Sequence, residues 1–334
     1  MTTDPSLPHV VVLAMGGTIA GSADSATDST GYRAGTGVVA DLLAAVPQAL
    51  ALARLTGEQF ASMDSSDLTD EILLALALRV AALLDSAEVD GVVITHGTDT
   101  IEETAYFLNL VLDSPKAVVL TGAMRPATAL SADGPMNFFG AVAVASAPAS
   151  AGQGVLVVMN DEIHSARDVT KTSSLRVGSF ESPHGPLGTV IDGLPRFYRA
   201  VSRPHTGATE FSLAGIRSLP TSGILFAHSG LDDSVAAALD ATRYEVIVHA
   251  GFGNGTVASR IVEPLEKARL AGAVVVRATR TGSGHVTDAG ASGDLVNGWI
   301  SVDDQNPQRA RILACLALTV TRDHAEIQRI FDTY

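Results

Sequence analysis

The sequence lacks the features by which several classes of protein are recognised. Only one cysteine, Cys315, occurs among 334 residues, and it lies in the apolar run ARILACLALTV. A disulfide within the chain is therefore excluded, and such a cysteine is typical of a small buried side chain. No apolar run reaches the roughly 18 residues that a membrane-spanning helix needs. The sequence thus predicts a soluble globular protein.

Positive charge is also scarce. The chain has 22 Lys and Arg against 36 Asp and Glu, which gives a formal net charge of -14. Such a surface repels phosphate backbones and anionic membranes, which argues against a nucleic-acid-binding protein. The N-terminal segment MTTDPSLPH lacks the basic region of a signal peptide. We therefore expect a cytoplasmic protein, or a periplasmic or secreted one if a leader has been removed.

Several ligand-binding motifs are missing as well. The stretch GGTIAG nearly matches the dinucleotide fingerprint G-x-G-x-x-G, but Thr18 replaces the second glycine. That glycine lets the backbone approach the pyrophosphate, so its absence argues against a nucleotide site. The sequence has no P-loop, no H-x-x-x-H or C-x-x-C spacing, and no G-x-S-x-G elbow. We expect neither a cofactor nor a metal.

The sequence does contain a repeated alternation of strand-like and helix-like segments. Apolar runs such as HVVVLAM, GVVIT and AVVLT alternate with helical patterns such as LTDEILLALALRVAALLDSA. This order predicts an α/β fold of two domains with mostly parallel sheets, whose strands are buried on both faces. The alternation fails in a segment rich in Gly, Pro and Ser, which predicts hairpins or an interdomain strap. We predict a larger N-terminal α/β catalytic domain (1–200), a linker (201–220) and a smaller C-terminal α/β domain (221–334).

Polar residues cluster where the predicted strands end, which is where parallel sheets bind ligands. HGTDT follows one strand and places Thr98 beside Asp99, and DVTKTSS contains Lys171, one of only three lysines. Thr98, Lys171 and Asp99 could serve as hydroxyl, base and orienting acid, a combination suited to amide or ester hydrolysis. The alternatives are that Thr98 only caps a helix and that Lys171 is an ordinary surface lysine.

Taken in order, the motifs resemble a known family. GGTIAG, GYRAG, ITHGTDTIEETAYFL, GAMRP, VVMNDEIHSARDVTKTSS and AGFGNG follow one another as in the bacterial type II L-asparaginases and glutaminase-asparaginases. The resemblance extends over essentially the whole chain. It implies hydrolysis of the L-asparagine side-chain amide through a β-aspartyl intermediate on a threonine. It also implies a homotetramer built as a dimer of dimers, with sites at the intimate dimer interface.

The resemblance also assigns roles to individual residues. Thr18 resembles the primary nucleophile, and Tyr32 resembles the tyrosine of a lid that spans about 20–38. Ser65 and Asp99 resemble the groups that bind the α-carboxylate and the α-amino group, and Asn254 resembles the asparagine contributed by a neighbouring subunit. The full expected set is catalytic Thr18, Tyr32, Thr98, Asp99 and Lys171, with substrate-binding Gly17, Ser65, Ser66, Gly97, Thr98, Asp99 and Asn254.

Two positions depart from the family pattern. Ser66 stands where relatives usually carry Gln or Glu, and Ala291 stands where many carry a glutamate that reaches the partner's site. Both changes remove groups near the α-amino end of the substrate, although Asp288 or Asp294 could substitute. We therefore expect weaker affinity for free amino acids or relaxed specificity. Two alternatives remain open at this stage: a glutaminase-asparaginase and a noncatalytic amino-acid-binding relative.

Overall fold

A computed structural model describes residues 4–238, 243–288 and 297–334. The chain divides into two compact units, Met1–Thr209 and Glu210–Tyr334. Both units are α/β, and most of their strands are parallel, so the predicted fold class is confirmed. Among the described residues, no helix is long and apolar enough to cross a membrane.

The first unit is built on an eight-stranded sheet. Its strands in chain order are β1 (His9–Gly16), β2 (Arg54–Met63), β3 (Gly91–Thr95), β4 (Ala117–Thr121), β5 (Val155–Met159), β6 (Glu162–Ser165), β9 (Gly188–Ile191) and β10 (Leu194–Phe197). The spatial order is β10-β9-β6-β5-β4-β3-β1-β2, and β2, β1, β3, β4 and β5 run parallel. Strands β7 (Thr170–Lys171) and β8 (Phe180–Glu181) form a separate antiparallel pair.

Four helices accompany this sheet: α1 (Val39–Ala45), α2 (Asp70–Leu84), α3 (Ile101–Val111) and α4 (Gly134–Ser146). The sequence specifies α2 clearly. The Thr69 hydroxyl accepts the Ile72 N–H at 3.3 Å, which caps the first turn. Leu76 and Val80 of its apolar stripe are fully buried, as their helical spacing predicts.

The segment in which the alternation fails contains one hairpin. Strands β9 and β10 pair in antiparallel fashion, with Ile191 opposite Leu194. The two residues of the turn, Asp192 and Gly193, have φ values of 50° and 74°. Positive φ at both positions is what a two-residue hairpin turn of type I′ requires, and Asp-Gly is a favoured sequence for it.

The second unit contains a four-stranded parallel sheet in the order β11-β12-β13-β14. These strands are β11 (Ser222–Phe226), β12 (Val246–Gly251), β13 (Val274–Thr279) and β14 (Ile300–Ser301). The helices described in this unit are α5 (Asp233–Ala237), α6 (Ser259–Leu270), α7 (Pro307–Val320) and α8 (His324–Thr333). Cys315 is fully buried in α7, as its apolar neighbours predict.

Candidate active site

The carboxyl ends of β1 and β3 lie side by side in the first sheet. Strand β1 is flanked by β2 and β3, so connections leave this part of the sheet in both directions. Ligands in open parallel sheets bind at such a switch point, beyond the carboxyl ends of the strands. The loop after β1 carries Gly17 and Thr18, and the loop after β3 carries Gly97, Thr98 and Asp99.

These two loops touch through their glycines. A Cβ atom added to Gly17 would lie 2.4 Å from Gly97 Cα and 2.6 Å from Gly97 N, closer than real side chains come. Gly17 also has a φ of 76°, which favours glycine. The absence of side chains at both positions therefore lets the two threonine-bearing loops approach each other.

Thr18 begins a 3₁₀ helix, Thr18–Ala20, and is nearly buried. Its Oγ1 is hydrogen-bonded to the Tyr32 hydroxyl at 2.6 Å. The segment that carries Tyr32 folds back through a bridge between Ser22 and Arg33. Tyr32 is thus held against Thr18, while the role of residues 20–38 as a lid stays a prediction.

Thr98, Asp99 and Lys171 form the second hydroxyl cluster. Lys171 Nζ donates to Thr98 Oγ1 at 2.9 Å and to Asp99 Oδ1 at 2.6 Å. Thr98 is buried, the Lys171 side chain is 18% exposed, and the Asp99 side chain is 59% exposed. The Thr98 hydroxyl, the Lys171 amine group and the Asp99 carboxyl group therefore meet, and the Asp99 side chain is open to solvent.

The structure settles both alternative interpretations of this cluster. Helix α3 begins at Ile101, and the residue at its cap is Thr100, so the interpretation of Thr98 as the helix cap is wrong. Lys171 is bound to two other side chains of the cluster, so its interpretation as an ordinary surface lysine is wrong as well.

Ser65 joins these loops from the segment after β2. Its Oγ accepts the Asp99 N–H at 3.3 Å, and its carbonyl accepts the Thr100 hydroxyl at 2.9 Å. A Cβ on Gly97 would lie 2.4 Å from Ser65 Oγ, so this glycine also permits a close approach. The neighbouring Ser66 is exposed, and its hydroxyl donates to Asp64 within its own loop at 2.9 Å.

Asn254 belongs to the second unit, in the loop after β12. Its Nδ2 donates to Thr287 Oγ1 at 3.0 Å, and its Oδ1 accepts the Thr287 N–H at 2.8 Å. The other predicted site residues lie in the first unit, where direct contacts connect all of them except Ser66, which adjoins Ser65. Ala291 and Asp294 lie outside the described residues.

His96 precedes the HGTDT glycine and is fully buried. Its Nδ1 donates to the Gly97 carbonyl at 2.8 Å, so its Nε2 accepts the Thr104 hydroxyl at 3.0 Å. Burial lowers the pKa of His96 to about 4. A neutral imidazole with both nitrogens engaged is suited to holding the loop in place rather than to proton transfer.

Sequence reasoning missed one residue of this region, Glu102. It is buried in the first turn of α3, and its Oε2 accepts the Lys171 backbone N–H at 2.8 Å. In the sequence, Glu102 is simply an acidic residue at the start of a predicted helix. Carboxylates are common there because they interact favourably with the helix dipole, whether or not a functional site is near. What distinguishes Glu102 is the burial of its carboxylate, and the sequence pattern does not reveal that burial.

Comparisons with known proteins agree with the resemblance. The family model for the asparaginase N-terminal domain matches residues 9–203, and the model for the glutaminase/asparaginase C-terminal domain matches 223–331. A "Glutaminase-asparaginase" of Pseudomonas fluorescens biotype A is 44% identical over 99% of this chain and 92% of its own length. "L-asparaginase 2" of Escherichia coli K12 is also 44% identical, over 98% of this chain and 94% of its own.

A solved structure shows the same similarity. The probable cytoplasmic L-asparaginase from Campylobacter jejuni superimposes with a TM-score of 0.94 at 46% identity, covering 98% of this chain and all of its own. Sequence motifs, fold and relatives therefore converge. The chain belongs to the L-asparaginase and glutaminase-asparaginase family of amidohydrolases.

Proposed function

We propose that the protein hydrolyses the side-chain amide of L-asparagine to L-aspartate and ammonia. The observation that carries this proposal is that two threonine hydroxyls lie on loops that follow neighbouring strands and touch at Gly17 and Gly97. One is bonded to a tyrosine and the other to a lysine, so each has a partner that can move its proton. The names of the full-length relatives support the same substrate class.

In the proposed mechanism, Thr18 Oγ1 attacks the side-chain amide carbon. Its proton leaves along the hydrogen bond to Tyr32. The C–N bond breaks, the amide nitrogen takes up the proton that left Thr18 and departs as ammonia, and a β-aspartyl ester remains on Thr18. Water then attacks the ester: Lys171 Nζ, as a neutral amine, takes the Thr98 hydroxyl proton while Thr98 Oγ1 takes a proton from the water. The ester C–O bond breaks, the proton taken up returns to the Thr18 oxygen, and aspartate is released. Asp99 orients Lys171 through the 2.6 Å contact with Nζ.

The charged end of the substrate is bound on the Ser65 side of this site. We propose that Ser65 binds the α-carboxylate and that the exposed carboxylate of Asp99 binds the α-amino group, with Gly17 and Gly97 as further members of the substrate-binding set. The buried hydroxyl of Ser65 already contacts the backbone of Asp99, so the two groups are held together. Thr98 would contact the reacting amide end.

The departures at Ser66 and Ala291 lead to a proposal about specificity. The Ser66 hydroxyl is engaged with Asp64, so it offers less to the substrate than the Gln or Glu usual in the family. We propose relaxed selection at the α-amino end, measured as kcat/KM for L-asparagine, D-asparagine and an N-blocked asparagine. Ser66→Gln should sharpen the preference for free L-asparagine. Strict preference with micromolar KM in the unaltered enzyme would contradict this proposal.

We also propose that the enzyme is a homotetramer, a dimer of dimers in which Asn254 completes the site of a neighbouring subunit. The Asn254 side chain is exposed, and its orientation is set by the hydrogen bonds of Nδ2 and Oδ1 to Thr287. Light scattering of the purified protein measures the assembly directly. An active monomer would contradict the proposed role of Asn254.

A glutaminase-asparaginase activity is the second candidate. Relatives from Pseudomonas fluorescens and Pseudomonas aeruginosa, at 44% and 45% identity, are named as such. The ratio of kcat/KM for L-glutamine to that for L-asparagine decides between the two. The predicted cytoplasmic location stays a prediction, since the names of relatives include both a cytoplasmic and a periplasmic protein; cell fractionation tests it.

The experiment that tests the proposed function is ammonia release from L-asparagine. Thr18→Ala and Thr98→Ala should each lose activity while remaining folded by circular dichroism. Thr333→Ala, which removes a hydroxyl in the last helix, should keep activity. A fully active Thr18→Ala enzyme would overturn the assignment of the nucleophile, and no ammonia release by the unaltered protein would favour a noncatalytic relative.

A further inference from the structure

Glu102 ties two parts of the active site together. Glu102 is the second residue of α3 and its side chain is buried. Its Oε2 accepts the backbone N–H of Lys171 at 2.8 Å. A buried carboxylate is costly unless polar groups compensate it. Here the first turn of a helix and the Lys171 N–H provide compensation. This hydrogen bond therefore joins two residues that are 69 positions apart in the sequence, and it connects α3 with the strand of the proposed base.

The strand that carries Lys171 is short and lies outside the eight-stranded sheet. Strand β7 is two residues long and pairs with the two-residue β8 in a sheet separate from the eight-stranded one. Thr98 and Asp99, by contrast, directly follow β3, a central strand of the large sheet. Sheet hydrogen bonds therefore do not fix the distance between Lys171 and its two partners.

Glu102 supplies a constraint on this distance because it lies on the same segment as those partners. Asp99 precedes Glu102 by three residues, and Thr98 by four, at the start of α3. One end of this segment thus binds the Lys171 ammonium, while its first helical turn binds the Lys171 backbone. Because both the backbone N–H and the Nζ of Lys171 are bound to this segment, the position of Nζ relative to Thr98 and Asp99 is fixed.

We propose that Glu102 is a positioning residue for Lys171. Its carboxylate sets the backbone of β7 so that Nζ reaches Thr98 Oγ1 and Asp99 Oδ1 together. This inference rests on the proposed role of Lys171 as base. Glu102 itself acts only through the lysine.

Two substitutions at this position separate an acceptor effect from a charge effect. Glu102→Gln keeps an acceptor oxygen at the same reach and should retain kcat within about threefold. Glu102→Leu keeps similar bulk without an acceptor and should lower kcat about 100-fold, the usual effect of roughly 1 Å of misplacement. KM for L-asparagine should change little, because the lysine acts in the chemical step. Glu103→Leu removes the neighbouring carboxylate of the same helical turn and is the matched control.

A double-mutant cycle with Lys171→Ala distinguishes positioning from a general loss of structure. If Glu102 acts through the lysine, the Glu102→Leu/Lys171→Ala enzyme is no slower than Lys171→Ala alone. A merely structural defect would lower kcat further in the double variant. Additive losses would therefore overturn the proposal.

The outcomes also separate this inference from the proposed function. Full activity of Lys171→Ala would overturn the proposed base and this inference with it. A folded Glu102→Leu with unaltered kcat, beside an inactive Lys171→Ala, would overturn the inference alone. If Glu102→Leu fails to fold, Glu102→Asp replaces it, since its carboxylate is one methylene shorter. We expect about a tenfold loss of kcat in that variant, and equal activity of the Asp, Gln and unaltered enzymes would contradict the proposal.

Discussion

Gly17→Ala tests whether the two threonine-bearing loops must be in contact. The added Cβ would lie 2.4 Å from Gly97 Cα and 2.6 Å from Gly97 N. Carbon atoms in ordinary contact are about 3.5 to 4.0 Å apart, so the loops would have to separate by roughly 1 Å. Both clashing atoms belong to the backbone and cannot rotate away. The substitution must therefore shift one loop against the other.

Two energies contribute to the expected loss of stability. With a φ of 76° and a ψ of -170°, Gly17 lies in a backbone region that is essentially restricted to glycine, and a residue with a side chain there costs about 1 to 3 kcal/mol. The clash adds about 1 to 3 kcal/mol, as overpacking in a well-packed region usually does. The loss of glycine's flexibility in the unfolded chain returns about 0.4 to 1 kcal/mol, so we expect the free energy of unfolding to fall by about 1 to 6 kcal/mol.

Gly152→Ala is the control for an alanine placed at a glycine of similar positive φ without a clash. Gly152 has a φ of 74°, almost that of Gly17, but a Cβ there would meet nothing within 4 Å. Urea unfolding gives the stability of both variants, and ammonia release from L-asparagine gives kcat/KM. Gly17→Ala should lose about 100-fold in kcat/KM through loop displacement, while Gly152→Ala keeps its activity. Equal stability and activity of the two variants would refute the contact between the loops as the reason for glycine at position 17.

Two further predictions follow from the same contacts and from burial. Tyr32→Phe removes the hydroxyl bonded to Thr18 and should lower kcat about 100-fold in steady-state assays, within the usual range for a proton-transfer partner, while an unchanged kcat would exclude proton transfer through Tyr32. Burial lowers the pKa values of His96, His164 and His249 to about 4 from an ordinary value of 6.5. Between pH 6.5 and 4 the unfolded chain therefore binds protons that the folded chain does not. As the pH falls through this range, each histidine lowers the free energy of unfolding by up to about 1.4 kcal/mol per pH unit. Urea titrations from pH 7 to 4.5 measure this decline, and constant stability over that range would contradict the burial of neutral imidazoles.

Much of the fold and part of the site can be predicted from the sequence. Runs such as GVVIT and AVVLT are apolar throughout because both faces of a parallel sheet are covered, and these strands are fully buried. The carboxyl ends of parallel strands converge, so the loops after β1 and β3 could be expected to meet. The close approach of Gly17 to Gly97 agrees with this expectation.

Other features depend on distances that no local pattern encodes. The acidic character of Glu102 is already explained by its place in the first helical turn, so the sequence offers no reason to connect it with Lys171. Strand β7 is too short to show any period. The contact of Ser66 with Asp64 likewise depends on the conformation of one loop, because a serine at that position is equally compatible with contact to a ligand.

The most direct test of the account is to identify the residue that carries the acyl intermediate. Enzyme turning over L-asparagine is quenched in acid within milliseconds, digested and mapped by mass spectrometry. The account predicts a β-aspartyl adduct on the peptide that contains Thr18, and no adduct in Thr18→Ala. An adduct on the Thr98 peptide instead, or continued turnover by Thr18→Ala, would contradict the claim that Thr18 is the nucleophile.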